Sequence, residues 1–277
     1  MKILIFKDRY NPTKPGIDYV IPRYDYLLEN KERVKGYFLT HGYDTIIGSL
    51  PFIYEKVPAP IFCTRTTSDF LKIFCQHSKL DFSKLAVNIV KGGQDIVLNG
   101  RKISFFDVSC NFAESIGICI NSTQGNILYI SHCVYHNDFD DGFTFDRKKL
   151  GKLCENKTLV LLSDANGSDK IGYCAPNYRL ISLVKRDLMD LQGRVFLAID
   201  APDLFNIVET LNMAVKYAHR KIIPYDNSAR EIIENLTKAG YFKFDKNTIA
   251  SVEDVNRLLK QFDQMKVMMK QMKNMKF

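Results

Sequence analysis

Short apolar runs alternate with polar, glycine-bearing turns through the first 130 residues, and helical periodicity takes over later. The runs Val34 to Leu39, Ala59 to Cys63, Val87 to Val90, Ile96 to Leu98, Lys102 to Val108, Ser115 to Ile120 and Asn126 to Ser131 have the length and content of strands. Turns such as Lys91-Gly92-Gly93 and Thr123-Gln124-Gly125 separate them. Leu159 to Leu162 is unbroken apolar text, as is the centre of Gly193 to Asp200, which predicts strands buried on both faces. Lys221 to Tyr225 predicts one more.

Helices are expected at Leu50 to Lys56, from an N-cap at Thr67 to about His77, and from Tyr178 to Leu191. Leu204 to His219 puts Ile207, Val208, Leu211, Ala214, Val215 and Ala218 on one stripe. Ser228 with Glu231 reads as a capping box, and Gly240 suits the position just past a helix end. Strands alternating with helices here imply a parallel sheet with right-handed crossovers. Val255, Leu258, Phe262, Met265, Met269 and Met272 repeat in three- and four-residue steps, a seam of heptad type.

With 277 residues, 46% of them hydrophobic and 25% charged, the chain is ordinary globular material for one large or two smaller domains. Its apolar runs are strand length, so no membrane span or signal peptide is expected. Seven cysteines, odd in number and without a C-x-x-C pair, are the usage of a reducing compartment, so the expected location is cytoplasmic. Residues 241–277 hold eight Lys/Arg against four Asp/Glu, half of the net excess of +8. That tail is either a footprint for a polyanion such as RNA or a solvated helix face. Five of the eight Met residues lie between Met265 and Met275, where flexible thioethers suit a partner surface as well as a docking helix.

The strand-to-turn corner Phe38-Leu39-Thr40-His41-Gly42-Tyr43-Asp44-Thr45-Ile46-Ile47-Gly48 gives the chain a family likeness. Together with Gly16-Ile17-Asp18-Tyr19-Val20-Ile21-Pro22, Tyr26-Leu27 and Glu29-Asn30-Lys31, it resembles the ribonuclease J branch of the metallo-β-lactamase superfamily, which carries a β-CASP insertion. The likeness covers roughly residues 16 to 248. It implies an α/β fold: a partial metallo-β-lactamase-like domain over 1–172, a partial β-CASP domain over 173–249, and a basic Met-rich helix over 250–277. That last helix also resembles the final helix of the methionine-rich domain of the signal recognition particle protein. Set against the family, strands before Gly16 and the second half of the β-CASP domain are expected to be missing.

The family's corner reads His-x-His-x-Asp-His-x-Gly and holds two zinc ions. Here His41 keeps the first position, while the second His, the Asp and the third His fall on Tyr43, Thr45 and Ile46. A further ligand His falls on Cys110, and a ligand Asp falls on His132, within Ile130-Ser131-His132-Cys133-Val134. Asp164, in Leu161-Leu162-Ser163-Asp164-Ala165-Asn166, matches the Asp that bridges the metals. A zinc ion takes about three or four N, O or S ligands, more than His41 alone supplies. His41 and His132 are therefore remnant metal positions, each open to an ordinary structural role. His132, Cys133, His136, Asp138, Asp140 and Asp141 also cluster, as a relocated metal site or as a solvated loop.

The resemblance implies RNA processing by zinc-activated water; the residues imply that the chemistry is gone and that no cofactor is held. The expected function is a non-catalytic RNA-binding or accessory subunit, with RNA and an active ribonuclease J paralogue as partners. Ser228, Lys260, Lys266, Lys270 and Lys273 are the candidate nucleic-acid contacts. The alternative is a zinc-dependent ribonuclease or hydrolase with a rearranged metal site.

Overall fold

The computed structural model describes residues 20–134, 142–165, 168–169, 171, 179–243 and 248–250. The chain divides into two units, one of residues 1–179 with 199–206 and the other of 180–198 with 207–277.

The first unit stacks helix on sheet on sheet on helix. After the short helix α1 (Asp25–Glu29), β1 (Tyr37–Phe38), β2 (Ile61–Cys63) and β3 (Val87–Ile89) form a parallel three-stranded sheet. Parallel neighbours require crossovers, and α2 (Asp44–Ile47), α3 (Leu50–Ile53) and α4 (Arg65–Gln76) lie between these strands in the chain. Ile47, Leu50, Ile61, Cys63 and Leu71 pack together as the core of this layer. The strands alternate faces, so Phe38 and Phe62 point the other way. They stack at 5.1 Å and meet Ile103, Phe105, Ile116 and Ile118 of a second sheet.

That second sheet runs in sequence order: β4 (Asp95–Leu98), β5 (Arg101–Asp107), β6 (Ile116–Ser122), β7 (Gly125–Ile130) and β8 (Thr158–Ser163). Its first four strands are antiparallel, with tight turns at Asn99-Gly100 and Thr123-Gln124 and a longer connection between β5 and β6, and β8 joins parallel to β7 after α5 (Arg147–Glu155). Phe145, Leu150 and Leu153 cover the far face at Phe106, Cys119 and Leu128. A cleft of about 660 Å³ opens on the near face, lined by Leu98, Ile120, Ile127, Tyr129 and Leu162 with Arg101 also on its wall.

β8 departs from expectation. Four consecutive apolar residues promised a strand covered on both faces, yet it is the outermost strand of the sheet, and Leu159, Val160 and Leu161 are exposed. The α4 cap also moves. The helix begins after Thr64, and no side chain of that residue caps it; Glu114 reaches in instead.

In the second unit, α6 (Ile181–Asp190) and α8 (Asn227–Lys238) stand where the periodicity predicts them, and α7 (Leu204–Asn212) runs out of the first unit and passes into a π-helical turn over Met213–Tyr217. Ile232, Ile233 and Leu236 are the buried face of α8. The α8 cap is Asp226, whose carboxylate accepts from Ala229 N–H; Ser228 lies inside the first turn rather than at the cap position. Extended backbone at Asp226 gives its short side chain the reach, two residues earlier than expected. Past the other end, Gly240 takes φ +90°, Gly240 N–H bonds Thr237 C=O and Tyr241 N–H bonds Leu236 C=O, the pairing of a Schellman end. Arg220 closes α6, donating to the carbonyls of Leu188 (2.7 Å), Gly193 (2.7 Å) and Leu191.

The strands expected at Gly193 to Asp200 and Lys221 to Tyr225 do not form ladders. Residues 194–200 have no regular structure and Phe196 is 88% exposed; the second stretch makes one parallel bridge, Ile222 with Ile249. Strand-like text needs a neighbouring strand to complete its backbone bonds. Among the described residues no helix is long and apolar enough to cross a membrane.

Candidate metal centre

The corner forms where β1, β7 and β8 end and the β5–β6 connection folds over them. Leu39 N–H bonds Phe62 C=O (3.0 Å), and Ile116 N–H bonds Thr40 C=O (3.0 Å), so His41 is held between the two sheets. The connection is fixed in turn by Val134 N–H on Ser109 C=O (2.8 Å), which carries the 131–134 segment alongside.

His41 is buried, and its Nδ1 lies 3.0 Å from the Thr40 hydroxyl. The Tyr43 ring meets it edge-on, with centroids 4.7 Å apart and planes at 87°. Phe112 packs against Tyr43 at 6.1 Å and against Phe70 of α4 at 5.4 Å. His132 closes the group, 6.5 Å from the His41 ring and 6.0 Å from Tyr43. Its Nδ1 lies 3.9 Å from Asp164 Oδ2. The structure thus brings His41, Tyr43, Cys110, His132 and Asp164 to one corner, as the family likeness implies.

Their chemistry there is not that of a zinc cage. Burial raises the Tyr43 phenol far above its ordinary value, with nearby Cys110, Asp203 and Asp200 adding to the shift, so it stays protonated. Cys110 is fully buried; burial pushes its thiol up to about 11 although Ser115 and Phe112 bond it. Its sulfur lies 2.9 Å from Ser115 Oγ and accepts Phe112 N–H at 3.3 Å. Metal ligands must shed their protons, and this environment opposes that. Thr45 and Ile46 are turned to other work inside α2, with Ile46 packed against the core. Among the described residues no group of three His, Cys, Asp or Glu is arranged to hold a metal ion. The side chains described do not fit a two-zinc centre: the Tyr43 ring packs beside both imidazoles, 4.7 Å from His41 and 6.0 Å from His132.

Gly42 is needed for closeness rather than for a turn. Its φ is ordinary, but a Cβ there would stand 2.6 Å from the tip of Phe112 and 3.1 Å from Phe70 Cβ. Glu114, at φ +55°, accepts the backbone N–H of Thr66 (3.0 Å) and its hydroxyl (2.9 Å). A distant carboxylate at a helix N-terminus satisfies orphan donors and favours the helix dipole.

Of the other expected residues, His136, Asp138, Asp140 and Asp141 lie outside the described residues, as do Lys260, Lys266, Lys270, Lys273 and the whole 251–277 seam. Ser228 is half-buried in α8. Phe112 and Phe70 were not singled out from the sequence.

No family model matches the chain. Against curated proteins it is 28% identical over 241 residues to a "Ribonuclease J 2" of Staphylococcus aureus (strain MRSA252), covering 87% of this chain. The same identity holds over 240 residues to a "Ribonuclease J 2" of Staphylococcus saprophyticus. The chain is a ribonuclease J homologue. It spans 43% of the length of these relatives. A crystal structure of a protein of unknown function from Enterococcus faecalis V583 superposes with a TM-score of 0.51 at 14% identity, covering 73% of this chain and 49% of that one. At that identity the likeness speaks for the fold alone. The helix–sheet–sheet–helix stack of the first unit makes this an α/β fold.

Proposed function

We propose that this ribonuclease J homologue belongs to RNA processing or decay and acts without catalysis, by binding RNA or as an accessory subunit beside an active paralogue. The observation that carries the reading is the Tyr43 ring wedged against His41, with Phe112 behind it, where the family places ligands and metal. The domain division at 1–172, 173–249 and 250–277 goes with this proposal, as does RNA contact through Ser228, Lys260, Lys266, Lys270 and Lys273. The surplus of Lys in the tail supports contact with phosphate. Metal analysis of the purified chain together with binding of a labelled single-stranded RNA tests it. The expected result is no stoichiometric zinc, intact RNA, and affinity that falls with salt by about 0.7 log units per log unit for each phosphate contact. Stoichiometric zinc with RNA cleavage overturns it.

A second reading is a zinc-dependent ribonuclease with a rearranged site. The convergence of His41, His132 and Asp164 on one corner favours it. It requires tight zinc binding that is lost in His41→Ala.

A further inference from the structure

α5 is built against its own helical preferences. Its first turn is Arg147, Lys148 and Lys149, although a helix N-terminus favours acidic side chains and disfavours cations. Lys148 and Lys152 stand one turn apart, a like-charge pair that destabilises a helix. Gly151 lies between them in the helix interior, where glycine is a much poorer helix former than alanine. Packing does not call for that glycine, because a Cβ at 151 would meet no atom of the surrounding fold within 4 Å. The core uses the other side of the helix: Leu150 and Leu153 cover the sheet, and Lys149 pairs with Asp95 at 3.0 Å. By the helical period the outer side is Lys148, Gly151, Lys152 and Glu155, all of them exposed. Departures from local preference that the fold does not need are expected at functional surfaces.

We propose that the outer face of α5 binds the phosphate backbone of single-stranded RNA, as a surface separate from the His41 corner. The inference rests on the RNA-binding reading above and adds a second place of contact, within the first unit. Residues 147–157 hold five Lys/Arg against one Glu, as large a share of the net excess of +8 as the tail carries. The charge continues beyond the helix. Lys157 follows it and is exposed, and Lys102, with a side chain 59% exposed, lies on the sheet face that α5 covers. Lys102 and Lys149 share one carboxylate, Asp95, so that group stays net positive. Clustered cations of this kind meet phosphates without reading sequence. The bare backbone at Gly151 gives a sugar-phosphate chain close approach between the two lysines. A bilayer surface suits this face less well. A helix lying on a membrane buries large apolar side chains at the headgroup boundary, and the leucines of α5 face the sheet instead.

The full chain carrying Lys148→Gln and Lys152→Gln together tests the surface. The change removes a like-charge repulsion, so its melting temperature should hold or rise. Fluorescence anisotropy measures binding of two labelled single-stranded RNAs of unrelated sequence across a salt series. The expected result is weaker binding of both, with a log–log salt slope shallower by about 0.7 for each lysine removed. Gly151→Ala should raise the melting temperature and still weaken RNA binding, a combination that a merely structural glycine would not produce. Lys72→Gln with Lys79→Gln, at exposed lysines away from α5, should leave the slope as it is in wild type. Wild-type affinity and slope in the Lys148→Gln, Lys152→Gln chain overturn this surface and leave the RNA-binding reading standing. An equal loss of slope in the Lys72→Gln, Lys79→Gln chain also overturns it, since the charge would then act diffusely. A wild-type chain that binds neither RNA sinks both the surface and the reading it rests on. If the α5 lysine variant keeps its RNA binding but loses binding to phosphatidylserine vesicles, the face belongs to a membrane and the proposal falls.

Discussion

Tyr43 presents its ring at right angles to the buried imidazole of His41, with 4.7 Å between centroids. Aromatic pairs prefer an edge-to-face arrangement at this separation. The corner should therefore behave as core. Tyr43→Ala is expected to lower unfolding free energy by about 3 kcal/mol, in the range for removing a large aromatic, and to leave zinc affinity unmeasurable. Urea unfolding and zinc titration check the two halves. A Tyr43→Ala chain that gains tight zinc binding would show that the ring alone keeps a competent site closed.

Glu114 holds the start of α4 from outside the helix. Thr64, at the cap position, spends its hydroxyl on Thr67 at 3.0 Å, so the carboxylate of Glu114 is what Thr66 N–H meets. Glu114→Ala should cost about 1 kcal/mol, the usual loss for a cap. Glu114→Gln, which keeps an acceptor oxygen, should cost less. Equal losses in the two variants would mean that charge, not the hydrogen bond, is what α4 uses.

What the sequence disclosed follows from how local each feature is. The strands β2 to β7 sit within a residue or two of the expected runs, because alternation and turn glycines act over short distances. The Schellman end at Gly240 was equally legible. α5 was not expected: its first turn is Arg147, Lys148 and Lys149, and only Leu150 and Leu153 mark an apolar face. The caps of α4 and α8 lie earlier than the expected residues because other carboxylates meet the first free donors, Glu114 from a distant loop at Thr66 N–H and Asp226 at Ala229 N–H. β8 and the 194–200 stretch read as buried because apolar text records what a segment can bury, not whether a neighbour covers it. At the site, family likeness brought His41, Cys110, His132 and Asp164 to one corner. The filling of that corner was hidden, since it depends on rings from the β1 end, the β5–β6 connection and α4 meeting at once.

Asp95 carries the clearest pH dependence. Burial would raise its carboxyl, but Lys102 at 2.8 Å and Lys149 at 3.0 Å, helped by Ser104, outweigh that and hold it well below the usual carboxylate range. Lys149 belongs to α5, so the pair ties that helix to β4. The folded carboxyl lies below the value of about 3.9 in an unfolded chain. Its stabilisation is thus fully present above about pH 4 and is lost as pH falls through the lower folded value. Asp95→Asn should be less stable than wild type by about 1 kcal/mol at pH 7, since both partners are partly exposed. The difference should shrink on acidification below pH 4. Chemical unfolding at neutral and acidic pH measures it, and a constant gap would count against the ion pair.

The cysteines report whether the corner is closed. Burial raises the thiols of Cys63 (to about 12), Cys75 (to about 11), Cys110 (to about 11) and Cys119 (to about 11). Cys133 and Cys154 are exposed. Thiol reagents attack the thiolate, so reactivity follows exposure and acidity together. In a Cys174→Ser background, which removes the cysteine outside the described residues, a disulfide reagent at pH 8 should modify Cys133 and Cys154 quickly. The other four should wait for unfolding by urea. Mass spectrometry of the quenched protein assigns each site. If Cys110 labels as fast as Cys133 in the folded chain, its thiol is accessible and able to ionise. The corner could then offer a thiolate beside His41 and His132, and the zinc-binding reading would gain the ligand it lacks.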